Sequence, residues 1–297
     1  MLKYFAISWS SYKDGPGKRI VLFLCGCPLH CLWCHSPHSQ TGEAELLFFE
    51  ENCKNCGRCM EVCSNGVHKF YGDKHFVNRS NCQKCGSCVL NCSNGALNMQ
   101  SYEEKPLTVF QKVQPELKLL QQLGGLTISG GEPMLQANEI KELFSLLRGA
   151  KANTAIETSG AVSRSPFEQL VDYVDCWLYG LRLTDKALLK AYTGADFDLV
   201  YENLHFLATE NPNNIIIRTP IIPNHNDTVK NFYKIAEIMV SLGLKKIELL
   251  PFNPFTSHYY KALGKTFDLI KFTAEKEVLL DEIIGIFTEG KIDVKLV

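Results

Sequence analysis

The chain has 297 residues, 45% of them hydrophobic, and a formal net charge of -1 at pH 7. This length and apolar content suffice for one large α/β domain or two smaller ones. The nearly balanced charge gives no reason to expect a nucleic acid or an anionic membrane as the main partner.

The N-terminal segment, residues 1–18, has neither the apolar core nor the small-residue cleavage site of a signal peptide, and no apolar run approaches the length of a membrane-spanning helix. We therefore expect a cytoplasmic protein. Disulfides are rare in that reducing compartment, so the 13 cysteines are expected to bind metal. All but Cys176 lie between Cys25 and Cys92, which places the metal chemistry in the first third of the chain.

The first predicted strand, KRIVLFL (residues 18–24), runs directly into a cysteine motif. In GCPLHCLWCHSP the cysteines Cys27, Cys31 and Cys34 have the spacing C-x3-C-x2-C. Three thiolates are one fewer than the four that close a structural zinc site or an iron–sulfur cluster. A [4Fe–4S] cluster on this motif would leave one iron open to a further ligand.

Two other cysteines near strands need an assignment. Cys25 is an alternative fourth ligand, because in a continuing strand its side chain shares a face with Cys27. We expect Gly26 to end the strand, which leaves Cys25 in the packed wall and Cys27 in the loop. Cys176 lies in the apolar run DCWLYGL and is predicted to be a small buried hydrophobe.

Residues 48–101 form a duplicated segment, in which CKNCGRCMEVCSNGVHKF is followed by CQKCGSCVLNCSNGALNM. Each copy has the spacing C-x2-C-x2-C-x3-C of two-cluster ferredoxins, in which the fourth cysteine of each run binds the other run's cluster. The predicted sets are Cys53, Cys56, Cys59 and Cys92 for one [4Fe–4S] cluster, and Cys63, Cys82, Cys85 and Cys88 for a second. A pair of zinc sites is the weaker alternative, because zinc sites use two separated cysteine pairs. Ser64 and Ser93 replace the usual proline without removing a ligand.

From about residue 107 onward helical and strand patterns alternate, which predicts a parallel sheet covered by helices. The predicted helices are LTVFQKVQPELKLLQQLGG, ANEIKELFSLLRGAK, DKALLKAYTG, LVYENLHFLATE, TVKNFYKIAEIMVSLG and TAEKEVLLDEIIGIFTEG. The predicted strands of this part are GLTISGG, NTAIETSG, DCWLYGLRL, NIIIRTPIIP and KKIELLPFNP, and DVKLV closes the alternation.

Polar motifs follow two of these strands, at the edge where parallel α/β proteins bind ligands. The first is SGGEP, residues 129–133, in which two glycines allow a ligand to approach the backbone and Glu132 can complement an ammonium group. The second is IETSG, residues 156–160.

The motif C-x3-C-x-W-C resembles that of the radical S-adenosylmethionine (SAM) enzymes. The resemblance implies that the methionine part of SAM chelates the open iron, and that an electron from the cluster cleaves SAM to methionine and a 5′-deoxyadenosyl radical. It also implies that Gly130, Gly131 and Glu132 contact the SAM amino group. Trp33 would lie near the adenine, with simple core packing as the alternative for its ring.

More of the chain is similar to the glycyl radical enzyme activases of this family. The similar strings are DGPGKRIVLFLCGCPLHCLWCHSP, the duplicated insert, LTISGGEPMLQ, IIIRTPIIPNHND and IELLPFNPFTSHYYKALGK. The resemblance implies a partial (β/α)6 barrel, residues 1–47 and 102–297, with a ferredoxin-like insert at 48–101. It implies three [4Fe–4S] clusters and SAM as cofactors, a glycyl radical enzyme as protein substrate, and reduced flavodoxin or ferredoxin as electron donor. We also expect a monomer.

Further site residues follow from the same resemblance. Glu157 and Arg218 are candidates at the ribose and the carboxylate of SAM, and Asn253 is a candidate contact of the adenine ring. Relatives often have a D-x-K pair on the fourth strand that helps to bind a cation and the SAM carboxylate, and here Gly180 and Arg182 stand in its place. We expect Arg182 to grip the carboxylate and the cation site to be lost. We expect His225–Asp227 to be a solvated loop cap rather than a metal site.

Two other functions compete with the activase. A radical SAM oxidoreductase with auxiliary clusters, acting on a small molecule or a peptide, would share every motif and differ at the barrel mouth. Such enzymes often carry their clusters in a C-terminal extension, whereas here the cysteines precede the second predicted strand. An electron carrier is disfavoured, because it leaves the three-cysteine motif and SGGEP without a role.

Overall fold

A computed structural model describes residues 1–120, 123–267, 269 and 277–297. The strands in these residues are β1 (Leu2–Ser11), β2 (Lys18–Leu24), β3 (Leu47–Phe48), β4 (His68–Tyr71), β5 (Lys74–Val77), β6 (Leu97–Asn98), β7 (Tyr102–Glu104), β8 (Gly124–Gly130), β9 (Asn153–Thr158), β10 (Cys176–Gly180), β11 (Ile215–Ile221), β12 (Lys246–Pro251) and β13 (Asp293–Leu296). The helices are α1 (Arg58–Val62), α2 (Ser87–Leu90), α3 (Pro106–Leu120), α4 (Ala137–Gly149), α5 (Ser165–Leu170), α6 (Lys186–Thr193), α7 (Phe197–Glu210), α8 (Val229–Ser241), α9 (Ser257–Ala262) and α10 (Glu277–Glu289).

The main sheet has nine strands in the order β13-β12-β11-β10-β9-β8-β2-β1-β7. Neighbours from β2 to β13 pair in parallel, whereas β1 is antiparallel to both β2 and β7. From β8 onward one or two α-helices separate each parallel strand from the next, and α3 returns the chain from the cysteine-rich segment to β8, as crossovers between parallel strands require. The strand–helix units that begin with β2, β8, β9, β10, β11 and β12 confirm the predicted partial (β/α)6 architecture.

The sheet is buried on both faces, which explains the apolar strands. All residues of β10 are buried, as are the first six of β8. Helix α4 covers the sheet with the stripe Ile140, Leu143, Phe144 and Leu147. Helices α6, α7 and α8 begin at capping side chains; at the start of α8, for example, the Thr228 side chain accepts from Asn231 N.

Some elements differ from the sequence prediction. Strand β1 and the edge strand β7 were not predicted; the burial of β1 does not alternate regularly, since three of its ten residues are buried, four partly buried and three exposed. Gly124 and Gly125, included at the end of the predicted helix LTVFQKVQPELKLLQQLGG, belong to β8. Residues 121–122 of that helix, and residues 273–276 of the last predicted helix, lie outside the described residues.

The cysteine-rich segment leaves and rejoins the barrel at one place, because β3 pairs with β6. Between them β4 and β5 form a hairpin. The sequence repeat is also a structural repeat: α1 follows Gly57 (φ 78°) and α2 follows Gly86 (φ 76°). The segment packs on the barrel through Leu47, which clusters with Ala262 and Leu263.

Across the described residues, no helix combines the length and the hydropathy needed to cross a bilayer.

Candidate functional site

The carboxyl ends of β2 and β8 lie side by side and bring the three-cysteine loop against SGGEP. Leu24 pairs with Gly130, Gly131 N donates to Leu24 O at 2.8 Å, and Glu132 N donates to Gly26 O at 2.7 Å. A Cβ on Gly131 would lie 2.1 Å from Gly26 O, and a Cβ on Gly130, where φ is +109°, 2.3 Å from Leu24 N. Both glycines are therefore required for the two loops to touch.

Cys27, Cys31 and Cys34 lie close together and are partly buried. Burial, followed by Glu132 and the other two cysteines, raises the pKa of Cys27 to about 12. Burial and the nearby Cys31 raise the pKa of Cys34 to about 11, and burial also raises the pKa of Cys31. Three close thiols with raised pKa values need a strong cation to become thiolates together, so this donor set fits an iron–sulfur cluster.

Cys25 stands apart from that set. It is buried, its amide donates to Lys3 O at 2.9 Å, and its carbonyl accepts from the Gln136 side chain at 3.0 Å. Its thiol faces Ser101 and Lys3, as expected for a residue of the packed wall. Cys176 is buried against Ala155, Leu178 and Ile216, as predicted.

The carboxylate of Glu132 is fully buried and already paired within the protein. It accepts hydrogen bonds from Thr158 Oγ1 at 2.7 Å, Ser159 N at 2.8 Å and Met134 N at 3.2 Å, and also from the Ser159 hydroxyl. Glu132 thus joins the ends of β8 and β9. The part of the SGGEP motif that remains available to an ammonium group is therefore its backbone.

Glu157 is held by two neighbours at the end of β9. It accepts from Ser129 Oγ at 2.6 Å and from Arg218 Nη1 at 2.8 Å. Burial raises the pKa of Glu157, but the Arg218 and Arg182 charges and the Ser129 hydrogen bond outweigh it and lower the pKa overall. Glu157 is therefore an anion at neutral pH, with 30% of its side chain exposed.

The guanidinium of Arg218 is engaged in contacts within the protein. Besides Glu157 it faces Glu248 at 3.1 Å and Asp14 at 3.6 Å, and it donates to Lys13 O at 2.8 Å. It is 4% exposed, and the three carboxylates raise its pKa against the opposing effect of burial. Its evident role is to position Glu157.

Arg182 lies across the end of β10, directly over Gly180. A Cβ on Gly180 would lie 3.1 Å from the Arg182 guanidinium carbon and from both terminal nitrogens. The charge of Arg182 also acts on Cys31, Cys34 and Glu157: it opposes the rise that burial causes in the pKa of the two cysteines and contributes to the lowered pKa of Glu157. The guanidinium therefore fills the space that a side chain at 180 would take, between the three cysteines and Glu157.

The loop 225–227 is a cap, as predicted, but a buried one, which corrects the expectation of a solvated loop. Asn226 is 0% exposed; its side chain accepts from Ile222 N at 2.7 Å and donates to Pro220 O at 2.6 Å and Arg182 O at 3.0 Å. Asn231 donates to the same Arg182 carbonyl at 3.3 Å. These amides fix the backbone beneath the guanidinium.

Trp33 and Asn253 have local roles in the structure. The Trp33 ring is buried and packs edge-on against Tyr192 and His225, both at 6.4 Å between ring centroids, so the packing alternative describes the ring itself. Asn253 is exposed and its side-chain oxygen accepts from Phe255 N at 3.0 Å.

Each set of four cysteines in the insert lines its own cavity. Cys53, Cys56, Cys59 and Cys92 line the first cavity, with Phe70, His75 and Leu97. Cys63, Cys82, Cys85 and Cys88 line the second, with Val67, His68 and Met99. In both cavities the fourth cysteine comes from the other copy, so these donor sets fit two iron–sulfur clusters; the ligand assignment itself stays a prediction.

The sequence analysis missed residues that come to the three cysteines from elsewhere in the chain. The Gln40 side chain donates a hydrogen bond to Cys34. Tyr260 lies near Cys31 and Cys34, and its hydroxyl donates to Leu32 O at 3.4 Å. Burial, followed by these two cysteines, raises the pKa of Tyr260. Tyr260 lies within a string similar to the activases, but no feature of that string singled it out.

Similarity to known proteins agrees with this site. A family model described as "4Fe-4S single cluster domain" matches residues 13–187. The 4-hydroxyphenylacetate decarboxylase activating enzyme of Clostridioides difficile is 33% identical over 97% of this chain and 93% of its own. The choline trimethylamine-lyase activating enzyme of Oleidesulfovibrio alaskensis is 34% identical over 88% and 86%. The trans-4-hydroxy-L-proline dehydratase activating enzyme of Clostridioides difficile is 31% identical over 96% of each chain.

Solved structures share the fold at low identity. Streptococcus suis SuiB bound to precursor peptide SuiA superposes with a TM-score of 0.54 at 15% identity, over 67% of this chain and 44% of that one. A radical SAM methyltransferase from Sphaerobacter thermophilus gives 0.51 at 14% identity, over 91% and 77%. With the relatives above, the three-cysteine loop and the parallel barrel, the chain belongs to the glycyl radical enzyme activating enzymes of the radical SAM family.

Proposed function

We propose that this enzyme cleaves SAM at a [4Fe–4S] cluster held by Cys27, Cys31 and Cys34, and that the resulting radical takes hydrogen from a glycine Cα of a partner glycyl radical enzyme. One observation carries the proposal: three partly buried thiols lie at the mouth of the barrel, in a loop that backbone hydrogen bonds join to SGGEP. When bound, the cluster would supply the electron that cleaves the sulfonium.

The residues around this loop are suited to hold SAM. The backbone of Gly130, Gly131 and Glu132 would receive the amino group, with the buried Glu132 carboxylate fixing its shape. Glu157, oriented by Ser129 and Arg218, would accept hydrogen bonds from the ribose hydroxyls. The backbone of Trp33 and the side chain of Asn253 would contact the adenine.

Arg182 would bind the SAM carboxylate and also replace a metal cation. Its guanidinium lies over Gly180 and acts electrostatically on Cys31 and Glu157, which supports a place between the cluster and the ribose site. A planar fork can bind a carboxylate through two parallel hydrogen bonds. Since Gly180 offers no ligand side chain, a fixed guanidinium would supply the positive charge instead.

The insert would carry two further [4Fe–4S] clusters, giving three in all. The separate cavities and the exchanged fourth cysteines support this. Exposed Cys56 and Cys85 would bring the clusters close to the surface, within reach of a reduced flavodoxin or ferredoxin. We further propose that the enzyme acts as a monomer in the cytoplasm.

The proposed function is tested under anaerobic conditions. Protein reconstituted with iron and sulfide, then reduced with dithionite, should convert SAM to 5′-deoxyadenosine and methionine. Co-expressed with a glycyl radical enzyme, it should produce a glycyl radical detectable by electron paramagnetic resonance (EPR). SAM cleavage with no glycyl radical on any such partner would favour the alternative, a radical SAM oxidoreductase of a small molecule or peptide.

A further inference from the structure

The two copies of the insert differ at a pair of histidines, His68 and His75, that lies between the cavities. His75, on the hairpin strand β5, lines the first cavity, and His68, on β4, lines the second. Their rings are joined by a hydrogen bond of 3.0 Å between His68 Nδ1 and His75 Nε2. When the two copies are aligned in sequence on their first cysteines, Leu97 takes the position of His68. The second copy therefore lacks the histidine pair.

His75 also contacts the sulfur atoms of the first cavity. Its Nδ1 lies 3.6 Å from Cys53 Sγ, and its Nε2 lies 3.8 Å from Cys59 Sγ. The ring is fixed between two aromatic side chains: it stacks on Phe70 at 4.4 Å and meets Phe48 edge-on at 4.4 Å. The imidazole is therefore held with one nitrogen directed at a predicted cluster ligand.

Counting protons decides which nitrogen donates. Two neutral imidazoles carry two N–H groups, and one of them lies in the bond between the rings. The other is on either His75 Nδ1, facing Cys53, or His68 Nε2, which is buried without a hydrogen-bond partner. A bare His75 Nδ1 would direct its lone pair at the sulfur, and an N–H on His68 Nε2 would lose its hydrogen bond to water without replacement. The favoured arrangement has His68 Nδ1–H donating to His75 Nε2, and His75 Nδ1–H donating to Cys53.

We propose that His75, with its tautomer set by His68, donates a hydrogen bond to the Cys53 thiolate and makes the first insert cluster more easily reduced than the second. A donor to a cluster sulfur stabilises the more negative, reduced state and raises the reduction potential. The insert would then hold its electron preferentially at the first cavity. This inference rests on the proposed presence of a cluster in each cavity.

The experiment uses the full chain with Cys27, Cys31 and Cys34 replaced by alanine, so that only the insert clusters titrate. Iron content is measured first. The two midpoint potentials are then measured by EPR-monitored redox titration in this background and with His75→Phe, which keeps the aromatic stacking. We expect His75→Phe to lower the first cluster's reduction equilibrium constant about tenfold, which is about 59 mV for one electron. The second potential should stay unchanged.

Two further variants separate the hydrogen bond from general disturbance. His68→Leu, which copies Leu97, should lower the first potential by less, because His75 keeps its donor but loses the partner that sets its tautomer. Tyr71→Phe, exposed on the same hairpin, should change neither potential. In deuterated water, the reduced first cluster should show an exchangeable deuteron coupling that His75→Phe removes.

Clear outcomes overturn the inference. Unchanged potentials in His75→Phe would show that no such hydrogen bond acts on a cluster. A fall of the second potential alone would put the donor on His68 instead. Absence of iron from the insert would defeat the proposed clusters themselves, a failure that the iron analysis reports separately from the potentials.

Discussion

The barrel mouth and the insert both gather cysteines, but they hold them in different ways. At the mouth, backbone hydrogen bonds fix the three-cysteine loop to the end of β8, above a core that includes Leu22, Leu24 and Ile128. In the insert, the core cluster has four buried residues, and two of them, Cys59 and Cys88, are themselves predicted ligands. We expect a segment with so small a core to depend on bound metal for stability, as small metal-binding domains do. The barrel should form its site without a cluster, and the insert should not.

The largest expected effect separates the two regions by function. A Cys27→Ala, Cys31→Ala, Cys34→Ala variant should lose all reductive SAM cleavage and about four of roughly twelve irons, because the insert keeps two complete cysteine sets. Iron analysis and chromatography of 5′-deoxyadenosine measure both. A variant that still cleaves SAM like wild type would refute the site assignment.

The matched change in the insert should have a milder result. Cys56→Ala or Cys85→Ala removes one exposed ligand of a single insert cluster. SAM should bind as in wild type while the rate of glycyl radical formation falls, because the cleavage site is intact. Loss of SAM binding in either variant would mean that the two regions are coupled more tightly than their separate cores indicate.

The next expected effect concerns folding. Removing iron with an anaerobic chelator should abolish amide-hydrogen protection in α1, α2, β4 and β5, since the insert then lacks both its metal and an adequate core. Strands β8 and β10, buried in the barrel, should keep theirs. Hydrogen exchange followed by mass spectrometry measures this, and protection retained throughout the insert would contradict the comparison drawn above.

Within the barrel mouth, Arg182 tests the proposed replacement of a cation. Arg182→Ala should weaken SAM binding about ten- to a hundredfold, because a charge-assisted pair contributes about 1.5–3 kcal/mol. Arg182→Lys should restore only part, because it lacks the planar fork. Isothermal titration measures the affinities, and an unchanged affinity in Arg182→Ala would exclude the role.

The same titration on wild-type protein in sodium, potassium or a bulky organic cation should give equal affinities at equal ionic strength. Gly180→Asp offers the complementary variant. Its side chain would enter the space of the Arg182 guanidinium, so SAM binding should weaken here too. A specific potassium requirement of the wild type would show that a cation site survives.

The smallest expected effect is on stability alone. Asn226→Ala removes three buried hydrogen bonds, including the one to Arg182 O, and leaves partners unpaired. We expect the barrel to lose about 1–3 kcal/mol of unfolding free energy, measured by anaerobic denaturation, while insert iron stays constant. Asn211→Ala, which removes the exposed hydrogen bond from Asn213 N to the Asn211 side-chain oxygen, is the control and should cost less.

The sequence predicted the fold well where chain-local signals are strong. Strand β2 has the predicted bounds, because its apolar run ends sharply at Cys25-Gly26. The contacts that it could not predict join distant residues. The guanidinium of Arg182 over Gly180 depends on the β10 backbone and on Asn226, and Tyr260 reaches Leu32 from the opposite end of the chain. Neither proximity leaves a pattern in spacing or composition.

The short pairing of β3 with β6 has a consequence for how the protein could be rebuilt. Paired strands lie about 4.8 Å apart, so the chain leaves the barrel and returns to it at two adjacent points. A tight turn could join β3 to β6 in place of the whole insert. The cysteine-rich segment is therefore a separable insert, which could be exchanged for a shorter or a different one without lengthening any loop of the barrel.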